Sequence, residues 1–128
     1  MKRNEVCALI KELGVLPAIR VSSNNDAHFA AEAVTRGGIP IVEITMTVPS
    51  AVELIAHLVS KHPKMVVGAG TILDLDMARK CLDAGASFLT SPAQDIEIGS
   101  EFESGRLRQY GGPGLRRWQL RRRNARRR

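Results

Sequence analysis

Glu43 stands in the middle of "IPIVEITMTVPS" (residues 39–50), a run of Ile and Val that otherwise reads as a buried strand. Carboxylates are among the side chains least often fully buried, so one placed there calls for a reason. Other polar groups fall toward the C-terminal ends of similar apolar runs. They are Arg20 after "PAI", Thr45 and Thr47 beside Glu43, Thr71 after "VVGAG", and Thr90 and Ser91 in "SFLTSP". An arginine, a glutamate and several hydroxyls converging in an apolar cavity would bind and turn over a small anion. Arg20 would hold a carboxylate through a forked pair of hydrogen bonds. Glu43, in a water-poor cavity, would have a raised pKa and shuttle protons. The competing reading puts Glu43 on an edge strand facing water, with Arg20 as its surface partner.

These groups can meet only if the strands lie side by side. Four β-like runs recur: "LPAIRV" (16–21), "PIVEITM" (40–46), "MVVGAG" (65–70) and "SFLTSP" (87–92). Corresponding positions are spaced by roughly the length of a strand, a helix and two loops. The segments between them have helical periodicity. Residues 24–38 place Phe29, Ala30, Ala33 and Val34 on one stripe, with Asn24 or Asn25 as the cap and Gly37-Gly38 as the stop. Residues 48–63 carry Val52, Ile55, Leu58 and Val59, with Pro49 in the first turn. Residues 73–86 carry Met77, Ala78, Cys81 and Leu82, and a further helix over 5–13 opens the chain. Such alternation predicts an α/β fold with a parallel sheet and helices outside it. Two architectures fit, an open doubly wound sheet and a (β/α)8 barrel, and in a barrel the active site lies at the C-terminal ends of the strands. The "GAG" at 68–70 lacks the spacing of a dinucleotide loop.

The 128 residues suffice for one small domain, with 44% hydrophobic and only 4% aromatic residues, so Ala, Val, Leu and Ile must build the core. No apolar run approaches the ~18 residues of a membrane helix, and Glu5, Lys11 and Glu12 interrupt any signal-like segment. A cytoplasmic protein with no membrane partner is expected. Cys7 and Cys81 have no metal-ligand spacing and read as buried free thiols. Charge divides the chain. Residues 1–98 carry nine Lys+Arg against eleven Asp+Glu (−2), and residues 99–128 carry ten Arg against two Glu (+8), giving +6 in all. The expected organisation is therefore a partial barrel over 1–98 and an Arg/Gly-rich tail over 99–128.

"PAIRV", "GGIPIVEITMTVPSAVE", "VVGAGTILD" and "AGASFLTSP" resemble the N-terminal half of the 2-keto-3-deoxy-6-phosphogluconate (KDPG) and 4-hydroxy-2-oxoglutarate aldolase family, over roughly residues 4–98. The resemblance selects the barrel, here about its first four βα units. It implies a class I aldolase, usually a homotrimer, that needs no metal and no cofactor. Such an enzyme cleaves a 2-keto-3-deoxy sugar acid phosphate or 4-hydroxy-2-oxoglutarate to pyruvate and an aldehyde through a lysine Schiff base. It further implies that Glu43 is the acid/base residue, that Thr71 helps hold the pyruvate carboxylate, and that Ser91 and Pro92 shape the pocket. Some members carry an arginine shortly after the glutamate strand. Here Thr45-Met46-Thr47 stands there, and the "PAIRV" form assigns that work to Arg20, with Thr47 alongside.

The Schiff-base lysine of this family lies on a later strand, in a Phe-Lys-Phe-Phe-Pro-type motif that the chain lacks. Its five lysines, Lys2, Lys11, Lys61, Lys64 and Lys80, are terminal or sit on helices and helix ends. The chain by itself is therefore expected to be inactive, and half a barrel to be marginal in stability, oligomeric or prone to aggregate. The tail, "GSEFESGRLRQYGGPGLRRWQLRRRNARRR", has no strand alternation. Three readings of it compete: a shifted reading frame near residues 93–100, a basic arm that binds nucleic acid, and a solvated extension. The first is preferred, because an out-of-frame GC-rich gene yields Arg- and Gly-rich output. In the second, the arginines would contact phosphates, and Trp118 or Tyr110 would stack on bases.

Overall fold

A computed structural model of the chain describes residues 3–91; Pro92 and the basic segment 99–128 lie outside the described residues. The order is α1 (Arg3–Leu13), β1 (Ala18–Ile19), α2 (Asn24–Arg36), β2 (Ile41–Thr45), α3 (Ala51–Lys61), β3 (Val66–Gly70) and α4 (Leu75–Asp83). The strands form one sheet in the order β1-β2-β3, all parallel. Ala18 pairs with Glu43, Ile41 with Val66, and Thr45 with Gly70. The expected fourth strand is present as a single parallel bridge between Ala69 and Leu89, extended by hydrogen bonds from Ala69 N to Phe88 O and from Thr90 N to Ala69 O.

Each strand alternates between two environments. Val42, Ile44, Val67, Ala69 and Leu89 point outward into the main core. There they meet Ala27 and Ala31 of α2, Leu54, Ile55 and Leu58 of α3, and Ala78 and Cys81 of α4. The inward face is apolar only at its lower end, where Ile41, Val66 and Phe88 pack with Val6 and Ile10 of α1. Helix α1 thus closes the bottom of the inner face, and the upper part carries Glu43, Thr45 and Thr90.

Several local details depart from the sequence pattern. The α2 stripe is rotated: Ala27 and Ala31 are buried, whereas Phe29 is 74% exposed. A helix lying close on a sheet seats its smallest residues against it, and the Ala-rich segment offers two such stripes. Ser23, not Asn24 or Asn25, caps α2 by accepting from Asp26 N. Asn24 Nδ2 instead donates to Pro49 O and Ser50 O, at 2.9 and 3.2 Å, tying the top of α2 to the loop before α3. Pro49 consequently precedes the α3 cap, Ser50, and lies outside the helix. Cys81 is buried as expected, but Cys7 is only half-buried. Among the described residues no helix is long and apolar enough to cross a membrane.

Candidate active site

Glu43 is the central residue of β2 and points to the inner face, where 9% of its surface remains exposed. The parallel ladder dictates this placement. Ile41, Glu43 and Thr45 share one side of the strand, and Val42 and Ile44 are committed to the helix side. The edge-strand reading does not hold, because β2 is the middle strand of the sheet. Burial pushes the Glu43 carboxyl above its ordinary pKa; a hydrogen bond with the Thr90 side chain and the charge of Arg20 oppose the rise.

Room for this carboxyl comes from the neighbouring strand. Gly70 has no side chain where the Glu43 carboxylate lies, and Gly68 has none where the Phe88 ring lies. A Cβ at either position would collide with these groups. The "GAG" of β3 is therefore a clearance for Glu43 and Phe88, with Ala69 facing the outer core.

Arg20 follows β1, and its Nη2 donates to Thr71 Oγ1 at 3.1 Å. The two residues expected to share a carboxylate are thus brought together across 51 positions of sequence. Thr71 adopts φ 59, a left-handed conformation that a β-branched residue seldom takes. Such strain persists only where the surroundings enforce it, and it concentrates at functional sites. Thr45 Oγ1 donates to Ile19 O at 3.1 Å and shares a 2.7 Å hydrogen bond with Thr47 Oγ1. This pair braces β2 against β1, with Thr47 exposed at the rim. Ser91 Oγ donates to Ile72 O at 2.6 Å and so joins the segments that carry Thr90 and Thr71.

Sequence reasoning placed Thr90 only among the polar strand ends, yet it is the side chain that bonds Glu43. Its two-residue spacing from Phe88 was the available signal, since both then share the inner face. The four described lysines, Lys11, Lys61, Lys64 and Lys80, are all exposed and lie on helices or in a loop away from the strand tops. A carboxyl that holds its proton unusually well, beside a guanidinium and hydroxyls, is equipped to move protons next to a small anion.

Parallel strands covered by outer helices, with polar side chains at their C-terminal ends, fit part of a (β/α)8 barrel. Comparison with known proteins gives the same fold. A structure of the KDPG aldolase of Zymomonas mobilis, solved with 3-phosphoglycerate, superposes with a TM-score of 0.73 at 28% identity, covering 84% of this chain and 51% of that one. The KDPG aldolase of Legionella pneumophila, solved with pyruvate captured as a covalent carbinolamine intermediate, gives a TM-score of 0.68 at 30% identity, covering 76% and 47%. Among curated proteins, a 2-dehydro-3-deoxy-phosphogluconate aldolase of Zymomonas mobilis is 32% identical over 95 residues, which are 74% of this chain and 45% of that relative. The family model for KDPG and KHG aldolases matches residues 6–112. This chain belongs to the KDPG and KHG aldolase family. It spans about half the length of the curated relatives it matches.

Proposed function

We propose that the chain carries the proton-transfer and carboxylate-holding part of a class I aldolase site. The reaction is reversible cleavage of a 2-keto-3-deoxy sugar acid phosphate or 4-hydroxy-2-oxoglutarate to pyruvate and an aldehyde. The observation that carries this reading is the buried Glu43 carboxyl, held by Thr90 beside the Arg20–Thr71 pair. The pyruvate captured in the Legionella relative supports the same substrate class. Glu43 would move protons as an amine adds to the keto carbon and water leaves. It would then deliver a proton to the enamine carbon that becomes the methyl group of pyruvate. Arg20 and Thr71 would hold the carboxylate, with Thr47, Ser91 and Pro92 shaping the rim.

The amine nucleophile must come from a lysine desolvated at a strand end, and no described lysine has that environment. The 128-residue chain alone is therefore inactive in this reading. The test joins residues 1–91 to the C-terminal half of the Zymomonas mobilis aldolase and compares both proteins. The chain alone should give no borohydride-trapped pyruvate adduct by mass spectrometry. The chimaera should release pyruvate, and Glu43→Gln should lower that rate by about 10²–10⁴-fold. A folded chimaera whose turnover is indifferent to Glu43→Gln would sink the assignment. A second reading, nucleic-acid binding by residues 99–128, rests on their charge of +8. It requires binding that weakens steeply with salt and disappears when the segment is removed.

A further inference from the structure

The three histidines of the chain lie together where α2 meets α3, away from the face that carries Glu43: His28 and His62 stand beside Glu32, and His57 packs on His28. His28 and Glu32 are one turn apart on α2, with Nε2 and Oε1 3.8 Å from each other. His62 caps the end of α3 and brings its Nε2 to 3.0 Å from the same oxygen. The three ligand atoms all lie within 4.8 Å of one another. His28 Nε2 is shielded from solvent and has no hydrogen-bond partner, which leaves a buried polar atom unsatisfied. The His28 ring rests against His57, centroids 5.1 Å apart and tilted by 49°, and this contact limits its orientation.

We propose that His28 Nε2, the Glu32 carboxylate and His62 Nε2 form a binding site for a divalent first-row transition metal, with Zn2+ the best fit. Two imidazoles and one carboxylate match the ligand preference of Zn2+ and leave a fourth position for water. Tetrahedral ligand atoms on zinc stand about 3.3 Å apart, so the two measured separations bracket the required one. Both histidines and Glu32 are about one-third exposed or less, which permits entry of the ion and a bound water. The bound metal would staple α2 to α3 across the outside of the sheet, and its binding energy would add to the stability of the fold.

The test uses the full chain, purified without a polyhistidine tag and freed of metal with a chelator. Zn2+ is titrated by calorimetry, and Co2+ is added as a spectroscopic probe. One equivalent should bind, thermal stability should rise with Zn2+, and the Co2+ spectrum should show nitrogen and oxygen ligation without a thiolate band. Glu32→Gln and His62→Ala should each weaken binding on the order of 100-fold, given that even outer-shell partners are worth about 10–100-fold. Their circular dichroism without metal should match the parent's, since these side chains are partly exposed. Three outcomes overturn the site: no stoichiometric binding, a Co2+ spectrum dominated by thiolate, or binding that survives both substitutions. If a variant fails to fold, the Co2+ spectrum of the unsubstituted chain still decides.

Discussion

Gly70 gives up its side-chain space to Glu43: a Cβ there would lie 2.6 Å from the carboxyl carbon and 2.9 Å from Cγ, and would overlap Oε1. The two residues sit on adjacent strands, with Glu43 paired to Gly68 and Thr45 to Gly70. Gly70→Ala should therefore cost about 1–3 kcal/mol in the parent chain, as overpacking of a filled site does. In a Glu43→Ala background most of that cost should disappear, because the colliding atoms are gone. Denaturant melts of the four proteins give the coupling directly. Equal costs in both backgrounds would mean that the carboxyl does not occupy this space in solution.

Burial raises the Glu43 pKa in the folded chain above its ordinary value of 4.5. Between the two values the folded state binds more protons than the unfolded state. The contribution of Glu43 to stability is then fully present below the unfolded pKa and is lost as pH rises through the folded one. Glu43→Gln removes this dependence. Its melting temperature should exceed the parent's at neutral pH, and the gap should narrow toward about pH 4. Arg20→Gln removes a charge that favours the ionised form and should steepen the parent's loss with pH. A parent-to-Glu43→Gln gap that stays constant across this range would contradict a buried, protonatable carboxyl.

Phe88 is fully buried over Gly68 and joins α1 to the lower ends of β2 and β3. Phe88→Ala should cost about 3–5 kcal/mol. That is a large part of the 5–15 kcal/mol typical of a whole domain, so a cooperative thermal melt should be weakened or lost. Phe88→Leu keeps most of the volume and should cost visibly less. If Phe88→Ala melts like the parent, α1 does not seal this end.

The two thiols should differ in reactivity. Burial pushes the Cys81 pKa up to about 11, and its Sγ lies 3.5 Å from Met46 Sδ. Only about one in a thousand of these thiols is ionised near pH 8, and the thiolate is the nucleophile. Iodoacetamide should label the half-buried Cys7 first and reach Cys81 only on unfolding, as read by peptide mass spectrometry. Equal labelling of both in the native chain would show that the α4 side of the core is open.

The parts of this molecule readable in the sequence are those set by short-range pattern. "PIVEITM" and "VVGAG" announce β2 and β3 because both faces of a parallel strand are covered, and Glu43 stands out because charge is rare there. The position of α2 about its axis was not readable. "AHFAAEAV" contains two overlapping apolar stripes, and only the sheet beneath selects Ala27 and Ala31 over Phe29. β1 is shorter than its apolar run and, among the described residues, pairs on one side alone. The Arg20–Thr71 contact and the Glu43–Thr90 bond needed the strand order and inward register, which no local window contains. The histidine cluster was hidden for the same reason, since helix packing brings residue 62 to residues 28 and 32.

The regular register also constrains how the chain finds its fold. Ala18 meets Glu43 and Ile41 meets Val66, so β2 and β3 each close a loop of 25 residues onto the strand before, and the Ala69–Leu89 bridge closes one of 20. Loop-closure entropy depends only logarithmically on loop length, and loops of such similar length carry nearly equal entropic costs. No pairing in the described sheet has to wait for a distant segment of chain. Strands can therefore add one at a time in the order of synthesis, each step repeating the last, with Glu43 enclosed only when the segment bearing Thr90 arrives.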